Sequence, residues 1–252
     1  MQVPELHVVR WSHADVSSYA GRCLVHHSHR ADVLRLRVLL RYGGLYLDLD
    51  VLSVARLSTD TMRSSFVIGR QDSGRVGFRT HRKYYGLCNA VMAAAPGAGF
   101  VRMLLSSYGW FRSYGRDAFW DEHSVRVPAE LADRCPAVGQ HILDSDRLYL
   151  PLWGDITSVY TAEPGDDWAG VDPTDGAAVL DHLRRLRPKM ISLHLWSAVA
   201  QKNQSFTTLG EACTAFWPSV YGALVCVAAD TQKSLSKDDP GVDARIQYLY
   251  EV

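Results

Sequence analysis

The sequence has no excess of either charge, no closely spaced pair of cysteines and no long uninterrupted apolar run. Lys plus Arg number 27 and Asp plus Glu also number 27, so the formal net charge is zero. Without a basic excess, neither a nucleic-acid partner nor binding to an anionic membrane surface is expected. None of the five cysteines stands in a C-x-x-C spacing, which argues against a zinc site or a redox motif.

Membrane-directing segments are also missing from the sequence. The first residues, MQVPELHVVRW, lack the basic stretch and apolar core of a signal peptide. The run AFWPSVYGALVCVAA is about 15 residues long and is broken by Pro218, so it is too short to span a bilayer. We therefore expect no membrane span. The length of 252 residues suits a single large domain, predicted over residues 1–230, with a polar tail at 231–252.

What the sequence does contain is a pair of carboxylates inside an apolar run, Tyr46-Leu47-Asp48-Leu49-Asp50. The run predicts a buried strand with Tyr46, Asp48 and Asp50 on one face and the intervening leucines on the other. Burying an unpaired carboxylate costs several kcal/mol, so a partner is expected. Two hard oxygen ligands suit Mg²⁺ or Mn²⁺, and such an ion is commonly completed by phosphate oxygens.

A helix is predicted immediately before this run, with Ser28 as its N-cap and Gly43-Gly44 as its end. Its arginines Arg30, Arg37 and Arg41 form a solvated stripe. The opposite face carries a mixture of polar and core residues, which are Asp32, Arg35, Leu36, Leu39 and Tyr42. Because an exposed ion pair would not be placed among core leucines, the i,i+3 pair on this face is a candidate functional pair.

The remaining pattern alternates strands and helices, which favours an α/β fold. Strands are predicted at Leu6–Val9, Phe66–Gly69, Cys88–Ala94, Arg147–Leu150 and Met190–Trp196. Helices are predicted at Gly99–Tyr108, Pro128–Asp133 and Thr174–Leu186.

Read as one unit, HRADVLRLRVLLRYGGLYLDLDV resembles the core of glycosyltransferase family thirty-two, the sugar-binding-region glycosyltransferases with a DXD motif. That family includes α-1,4-galactosyltransferases and initiating mannosyltransferases. The segments YGLCNAVMAAAPGAGFVRMLL, LYLPLWGDITSVY and SLHLWSAVAQKNQSF are more loosely similar to later parts of the family, so the resemblance covers about residues 26–215. It implies a GT-A-like fold with a mostly parallel central sheet flanked by helices.

The resemblance implies a metal-dependent, retaining transfer of a hexose from a nucleotide-sugar, with Mn²⁺ or Mg²⁺ as cofactor. Asp48 and Asp50 are the implied catalytic pair: Asp50 holds the metal and diphosphate, whereas Asp48 contacts sugar and ribose hydroxyls and reaches the metal through water. His194 is the implied third residue at the metal.

On the donor side, the resemblance assigns sugar and ribose contacts to Asp32, Arg35, Tyr46, Asn89 and Trp196. It implies a UDP-sugar or GDP-mannose donor and a glycan, glycolipid or protein acceptor. Relatives work in the Golgi lumen, and the lack of a signal or anchor leaves a cytoplasmic location open.

Two departures and two alternatives accompany this interpretation. Gly139-Gln140 stands where many relatives carry Gly-Pro, and only some 25 residues precede the predicted helix, so the first strand of the family's fold is expected to be missing. The apolar D-x-D strand also fits a phosphatase-like hydrolase with a nucleophilic Asp, and the short N-terminus also fits an inactive sugar-nucleotide-binding relative.

Several candidate residues have plain structural explanations. Asn89 fits a polar residue at a strand edge, His194 fits a hydrogen-bonded core residue, and Cys88 fits a small buried hydrophobe. The cluster in WDEHS, Trp120 to Ser124, fits a helix start as well as an acceptor subsite. The second D-x-D, Asp144 and Asp146 in LDSDRL, fits a turn.

Overall fold

The computed structural model describes residues 16–72, 84–113, 119–150, 152, 167–194, 196, 219, 222–223 and 227. The strands in these ranges are β1 Ser18–Tyr19, β2 Arg22–Cys23, β3 Gly44–Leu47, β4 Val51–Ser53, β5 Phe66–Asp72, β6 Tyr84–Ala94, β7 Gln140–Leu143 and β8 Ser192–His194. The α-helices are α1 His27–Tyr42, α2 Thr59–Met62, α3 Gly99–Ser107, α4 Val127–Arg134, α5 Ser145–Leu148 and α6 Gly176–Leu186. The strand predicted at Leu6–Val9 and the predicted tail at 231–252 lie outside the described residues.

The chain divides into two compact units, and the first comprises residues 1–47, 58–71 and 85–143. Its four-stranded sheet has the order β3-β6-β5-β7, in which β3 is antiparallel to β6 and β5 is parallel to β7. The prediction of a mostly parallel sheet is therefore wrong, and the sheet is mixed. Parallel strands need a long connection, and the chain between β5 and β7 includes α3 and α4. The antiparallel pair of β3 and β6 has no such requirement.

The core of this first unit lies between α1, α3 and the sheet. The Phe66 and Phe100 rings stack with centroids 4.8 Å apart, which joins β5 to α3. Complete burial of a large apolar side chain contributes roughly 1.5–3 kcal/mol, so this layer provides much of the unit's stability. Core residues from these elements are Val33, Leu36, Leu39, Phe66, Ile68, Leu87, Met92, Phe100, Val101 and Leu104.

Helix α1 begins one residue before the predicted N-cap. His26 occupies the N-cap position without a side-chain hydrogen bond, and the first turn closes when the Arg30 N–H donates to the His26 carbonyl at 3.2 Å. Ser28 therefore lies inside the helix and cannot cap it. The predicted C-terminal end is confirmed, because the Gly43 N–H donates to the Leu39 carbonyl at 2.8 Å.

The two faces of α1 follow the predicted pattern with two exceptions. Asp32, Arg35, Leu36 and Leu39 are buried as predicted, but Tyr42 is 61% exposed because it is the last helical residue. The arginine stripe is only partly solvated. Arg30 is half-buried, since its Nε donates to the Leu24 carbonyl at 2.7 Å.

Gly43 is required where α1 turns into β3. Its φ is +67°, and a Cβ atom there would lie 2.7 Å from both the Ala94 carbonyl oxygen and the Pro96 Cδ. We expect Gly43→Ala to lower the free energy of unfolding by about 1–3 kcal/mol because the backbone conformation, with a φ of +67° and a ψ of −159°, is essentially restricted to glycine. The collision should cost about 1–3 kcal/mol more. Gly97→Ala is the matched control, because Gly97 has a φ of +73° but no atom nearer than 3.9 Å to the added Cβ.

Chemical denaturation of both variants measures the difference. Gly97→Ala should lose only the backbone contribution, so its midpoint should lie between those of the wild type and Gly43→Ala. Equal losses in the two variants would mean that the close approach of β6 to Gly43 does not matter for stability.

Several other predicted elements are confirmed within a few residues. The strands at Phe66–Gly69 and Cys88–Ala94 are β5 and the later part of β6, and Cys88 is buried. The helix predictions correspond to α3, α4 and α6. The strand predicted at Arg147–Leu150 is wrong: the chain forms α5 instead, closed by the Tyr149 N–H donating to the Ser145 carbonyl at 2.9 Å. The strand predicted at Met190–Trp196 is shorter, being β8.

The second unit comprises residues 48–57, 72–84 and 144–252. Strands β4 and β8 pair antiparallel in it, and α6 is capped by Asp175, whose side chain accepts from the N–H groups of Ala177 and Ala178. A small core forms around the buried face of α6, consisting of Val54, Trp168, Val179, Leu183, Met190, Leu193 and Ala223. In neither unit do the described residues include a helix with the length and hydropathy that a bilayer crossing requires.

Candidate metal centre and polar network

The D-x-D motif lies in a turn rather than along a strand. Strand β3 ends at Leu47, and the Val51 N–H donates to the Asp48 carbonyl at 3.0 Å. Aspartate is favoured at the first position of such a turn. The prediction of one buried strand through the motif is therefore wrong, and Leu49, predicted to be buried, is 96% exposed at the tip of the turn.

The strand after the turn determines which side chain faces the motif. In the β4–β8 pair, Val51 lies opposite His194, so the imidazole stands across from the residue that follows Asp50. The His194 N–H donates to the Leu150 carbonyl at 3.2 Å, which anchors this end of β8 on the other side. His194 is 6% exposed and its Nε2 lies 3.4 Å from Asp50 Oδ1.

Asp48, Asp50 and His194 together form a group that can hold a divalent cation. One ligand atom from each side chain lies within 4.8 Å of the other two. Two ligands on opposite sides of an ion at about 2.1 Å are roughly 4.2 Å apart, so small side-chain adjustments suffice for all three to bind. Two carboxylates match the charge of the ion. The donor set and spacing therefore fit a divalent metal.

The His194 ring is packed between two aromatic side chains. Trp196 meets it edge to face with centroids 3.9 Å apart, and Tyr149 does so at 6.1 Å. Trp196 has a φ of +51°, a conformation that costs a non-glycine residue free energy and is enriched at functional sites. His194 Nδ1 is buried without a hydrogen-bond partner among the described residues, so the ring is oriented by packing. Sequence reasoning missed Tyr149, for which no local signal exists.

In the first unit, Asp32, Arg35 and Asn89 form a closed hydrogen-bond network between α1 and β6. Asn89 Nδ2 donates to Asp32 Oδ1 at 2.7 Å, and Arg35 Nη1 donates to Asn89 Oδ1 at 3.2 Å. Arg35 Nη2 lies 3.3 Å from Asp32 Oδ1, which closes the triangle. All three residues are at most 7% exposed. A buried network in which each charge has a partner is stable, but it is costly to disrupt.

Three aromatic side chains surround this network. The Arg35 guanidinium carbon lies 4.5 Å from the centre of the Tyr46 ring, a cation–π contact. His29 Nδ1 lies 3.7 Å from Asp32 Oδ2. Burial raises the pKa of Tyr108, and the negative charge of Asp32 raises it further. Sequence reasoning missed His29, although its position three residues before Asp32 places it on the same helix face.

The predicted site residues thus fall into two groups, each within one unit. The first unit holds Asp32, Arg35, Asn89 and Tyr46, whereas the second holds the metal-binding group with Trp196. The two groups are contiguous in sequence, since only Leu47 separates Tyr46 from the motif.

The WDEHS cluster is occupied by structural contacts. Asp121 accepts from Arg126 at 2.9 Å, and Glu122 pairs with Arg112. His123 is 1% exposed and its Nε2 lies 3.1 Å from the Ser107 carbonyl oxygen; burial lowers its pKa. These contacts fasten a short π-helical turn, Glu122–Arg126, to its surroundings before α4 begins. They favour the structural interpretation over an acceptor subsite.

The second D-x-D is likewise explained by local structure. Asp144 is the N-cap of α5, without a side-chain capping bond, and Asp146 lies 3.8 Å from Lys189. Both fit the turn predicted from the sequence.

Comparison with known proteins adds an independent line of evidence. Residues 9–67 match the family model described as glycosyltransferase sugar-binding region containing DXD motif. The matched segment is therefore glycosyltransferase-like. The chain is also 34% identical over 139 residues to "Glucan organizing enzyme 1" of Cryptococcus neoformans var. grubii, an alignment that covers 54% of this chain and 35% of that protein. The chain thus spans about a third of the length of this relative. No solved structure matches the chain.

The family match covers only part of the candidate site. Asp32, Arg35, Tyr46, Asp48 and Asp50 lie within the matched residues. The remaining residues lie outside the match, so their connection to the motif rests on the structure; these are Asn89, His194 and Trp196. Assignment to family thirty-two in particular stays a prediction.

Proposed function

We propose that this chain is a metal-dependent, retaining glycosyltransferase that moves a hexose from a nucleotide-sugar to a glycan, glycolipid or protein acceptor. The observation that carries this proposal is the convergence of Asp48, Asp50 and His194 at the D-x-D turn of a glycosyltransferase-like segment. A motif alone is weak support, but a buried imidazole facing both carboxylates adds an independent structural reason.

In this proposal the three side chains hold Mn²⁺ or Mg²⁺. An imidazole nitrogen suits first-row transition ions better than Mg²⁺, so we expect Mn²⁺ to be preferred. When bound, the ion neutralises the charge that develops on the diphosphate as the bond to the sugar breaks. Asp50, whose Oδ1 lies 3.4 Å from His194 Nε2, binds the ion directly. Asp48 supplies the second carboxylate and contacts sugar and ribose hydroxyls.

We assign donor-sugar binding to the first-unit network, and we keep Trp196, in the second unit, as a separate candidate for contact with the donor. Asp32 and Asn89 offer a carboxylate acceptor and an amide donor side by side, which complements the hydroxyls of a hexose. The indole of Trp196 offers an aromatic face to the donor. UDP-sugars and GDP-mannose are the donors to test first. The relative's name refers to glucan, so glucan is the first acceptor to test among glycans.

The test is release of nucleoside diphosphate from a panel of UDP-sugars and GDP-mannose, with Mn²⁺ or with a chelator. We expect Mn²⁺-dependent release from at least one member, and faster release when its acceptor is present. Absence of any release would overturn the proposal and leave an inactive sugar-nucleotide-binding relative. Rapid Mg²⁺-dependent hydrolysis of an aryl phosphate, with no nucleotide-sugar turnover, would instead favour the phosphatase-like alternative.

A further inference from the structure

Each of the three nitrogens of the Arg35 guanidinium faces an acceptor atom of the protein. Its Nε donates to the Ala31 carbonyl at 3.3 Å, and its Nη1 donates to both oxygens of Asn89, the carbonyl at 3.0 Å and the side-chain oxygen at 3.2 Å. Its Nη2 faces Asp32 Oδ1 at 3.3 Å. The side chain is 7% exposed. A guanidinium held in this way has little capacity left for a ligand.

The face of the same guanidinium is covered by Tyr46. The 4.5 Å distance from the Arg35 guanidinium carbon to the ring centre is well within the range of a cation–π interaction. Edge contacts to Asp32 and Asn89 and a face contact to Tyr46 fix the plane of the group. Arg35 therefore links α1 to two neighbouring strands, β3 and β6.

This arrangement determines how Asp32 and Asn89 present their polar atoms. Because Asn89 Oδ1 accepts from Arg35, the amide is held with Nδ2 toward Asp32. Arg35 and Asn89 both approach Asp32 at Oδ1. Among the described residues only His29 Nδ1 is within ion-pair reach of Oδ2, and at 3.7 Å it is beyond hydrogen-bond distance. Oδ2 can therefore accept from a ligand hydroxyl.

We propose that Arg35 is a positioning residue of the donor site, and that it acts through Asp32 and Asn89 while Tyr46 holds it in plane. This inference rests on the proposed function, because it divides the roles within the donor-sugar group. Asp32 Oδ2 and the Asn89 amide make the contacts to sugar hydroxyls. The Tyr46 side chain contributes its ring face to Arg35 rather than its hydroxyl to the ligand.

Calorimetric titration of UDP-glucose, UDP, GDP-mannose and GDP in the presence of Mn²⁺ tests this division. The ratio of sugar-nucleotide to nucleotide affinity isolates the sugar contribution. Tyr46→Leu, which removes the ring, should weaken the sugar-nucleotide about threefold to tenfold and leave the affinity for the nucleotide within about twofold. Tyr46→Phe keeps the ring and should retain most of the sugar-nucleotide affinity. Equal losses in the two variants would overturn the inference.

A second pair of variants tests Arg35 without relying on Tyr46. Arg35→Lys keeps a positive charge beside Asp32 but cannot span both oxygens of Asn89, so the sugar-nucleotide should bind about tenfold more weakly. In a chain that already carries Asn89→Ala, adding Arg35→Lys should cause little further loss if Arg35 acts through Asn89. Additive losses would mean that Arg35 contacts the sugar itself, which overturns the inference.

The same titrations distinguish a failure of the proposed function from a failure of the positioning role of Arg35. If the wild type binds none of the four probes, the proposed function fails and this inference fails with it. If the wild type binds a sugar-nucleotide but Tyr46→Leu binds it equally well, only the positioning role fails.

Discussion

Asp50→Ala is expected to lose at least about a hundredfold in nucleotide-sugar turnover with Mn²⁺ present. Asp50 lies 3.4 Å from His194 and belongs to the group whose ligand atoms converge within 4.8 Å. Removing it leaves one carboxylate and one imidazole, which bind a divalent ion weakly. A metal contributes several kcal/mol of charge stabilisation, and each 1.36 kcal/mol corresponds to a factor of ten in rate. The measurement is the initial rate of nucleoside diphosphate release.

Asp144→Ala is the matched control for that variant. Asp144 is an exposed aspartate in the second D-x-D, and its side chain makes no capping bond to α5. Its variant should retain the wild-type rate within about twofold and a similar stability. If the two variants lost the same amount of activity, the assignment of the metal to the first motif would be wrong.

Arg35→Met is expected to lower the free energy of unfolding by about 3 kcal/mol or more. The Asp32 and Arg35 side chains are 6% and 7% exposed, so removing the cation leaves a buried carboxylate without its charge partner. Breaking a buried pair in this way costs about 3–5 kcal/mol. The loss also removes two hydrogen bonds to Asn89, each of which contributes about 1 kcal/mol. Urea denaturation followed by circular dichroism measures the change.

The chain offers an exposed pair of the same type as a control. Arg63 and Asp60 have the same i,i+3 spacing and lie 3.1 Å apart, but their side chains are 77% and 89% exposed. Arg63→Met should change the free energy of unfolding by no more than about 0.5 kcal/mol, because exposed pairs contribute little. A loss below 1 kcal/mol in Arg35→Met would contradict the buried network.

Local sequence signals predicted α1 and its candidate pair well. The helix face that carries Asp32 and Arg35 follows from a 3.6-residue period, and the end of the helix follows from the adjacent glycines at positions 43 and 44. The D-x-D motif also pointed to two carboxylates with a partner in front of them. These features depend on interactions between residues close together in the chain, so the sequence pattern is enough to predict them.

Long-range pairing accounts for what the sequence did not predict. The apolar residues around Asp48 indicated one strand. Instead, β3 pairs with β6 and β4 pairs with β8, and the chain turns between them. Leu49 is exposed because it lies in that turn, although its position in an apolar run indicated burial. The packing of Tyr149 against His194 and the direction of β3 against β6 likewise depend on distant residues. The contact of Tyr46 with Arg35 joins a strand to a helix and has no sequence signature.

Mn²⁺ binding, measured by the loss of the electron paramagnetic resonance signal of the free ion, tests the central claim most directly. Wild-type protein with UDP or GDP present is expected to bind about one Mn²⁺ per chain, and Asp144→Ala should do the same. Asp50→Ala should bind the ion at least about tenfold more weakly. Equal Mn²⁺ affinity in the wild type and Asp50→Ala would contradict a metal centre at Asp48, Asp50 and His194.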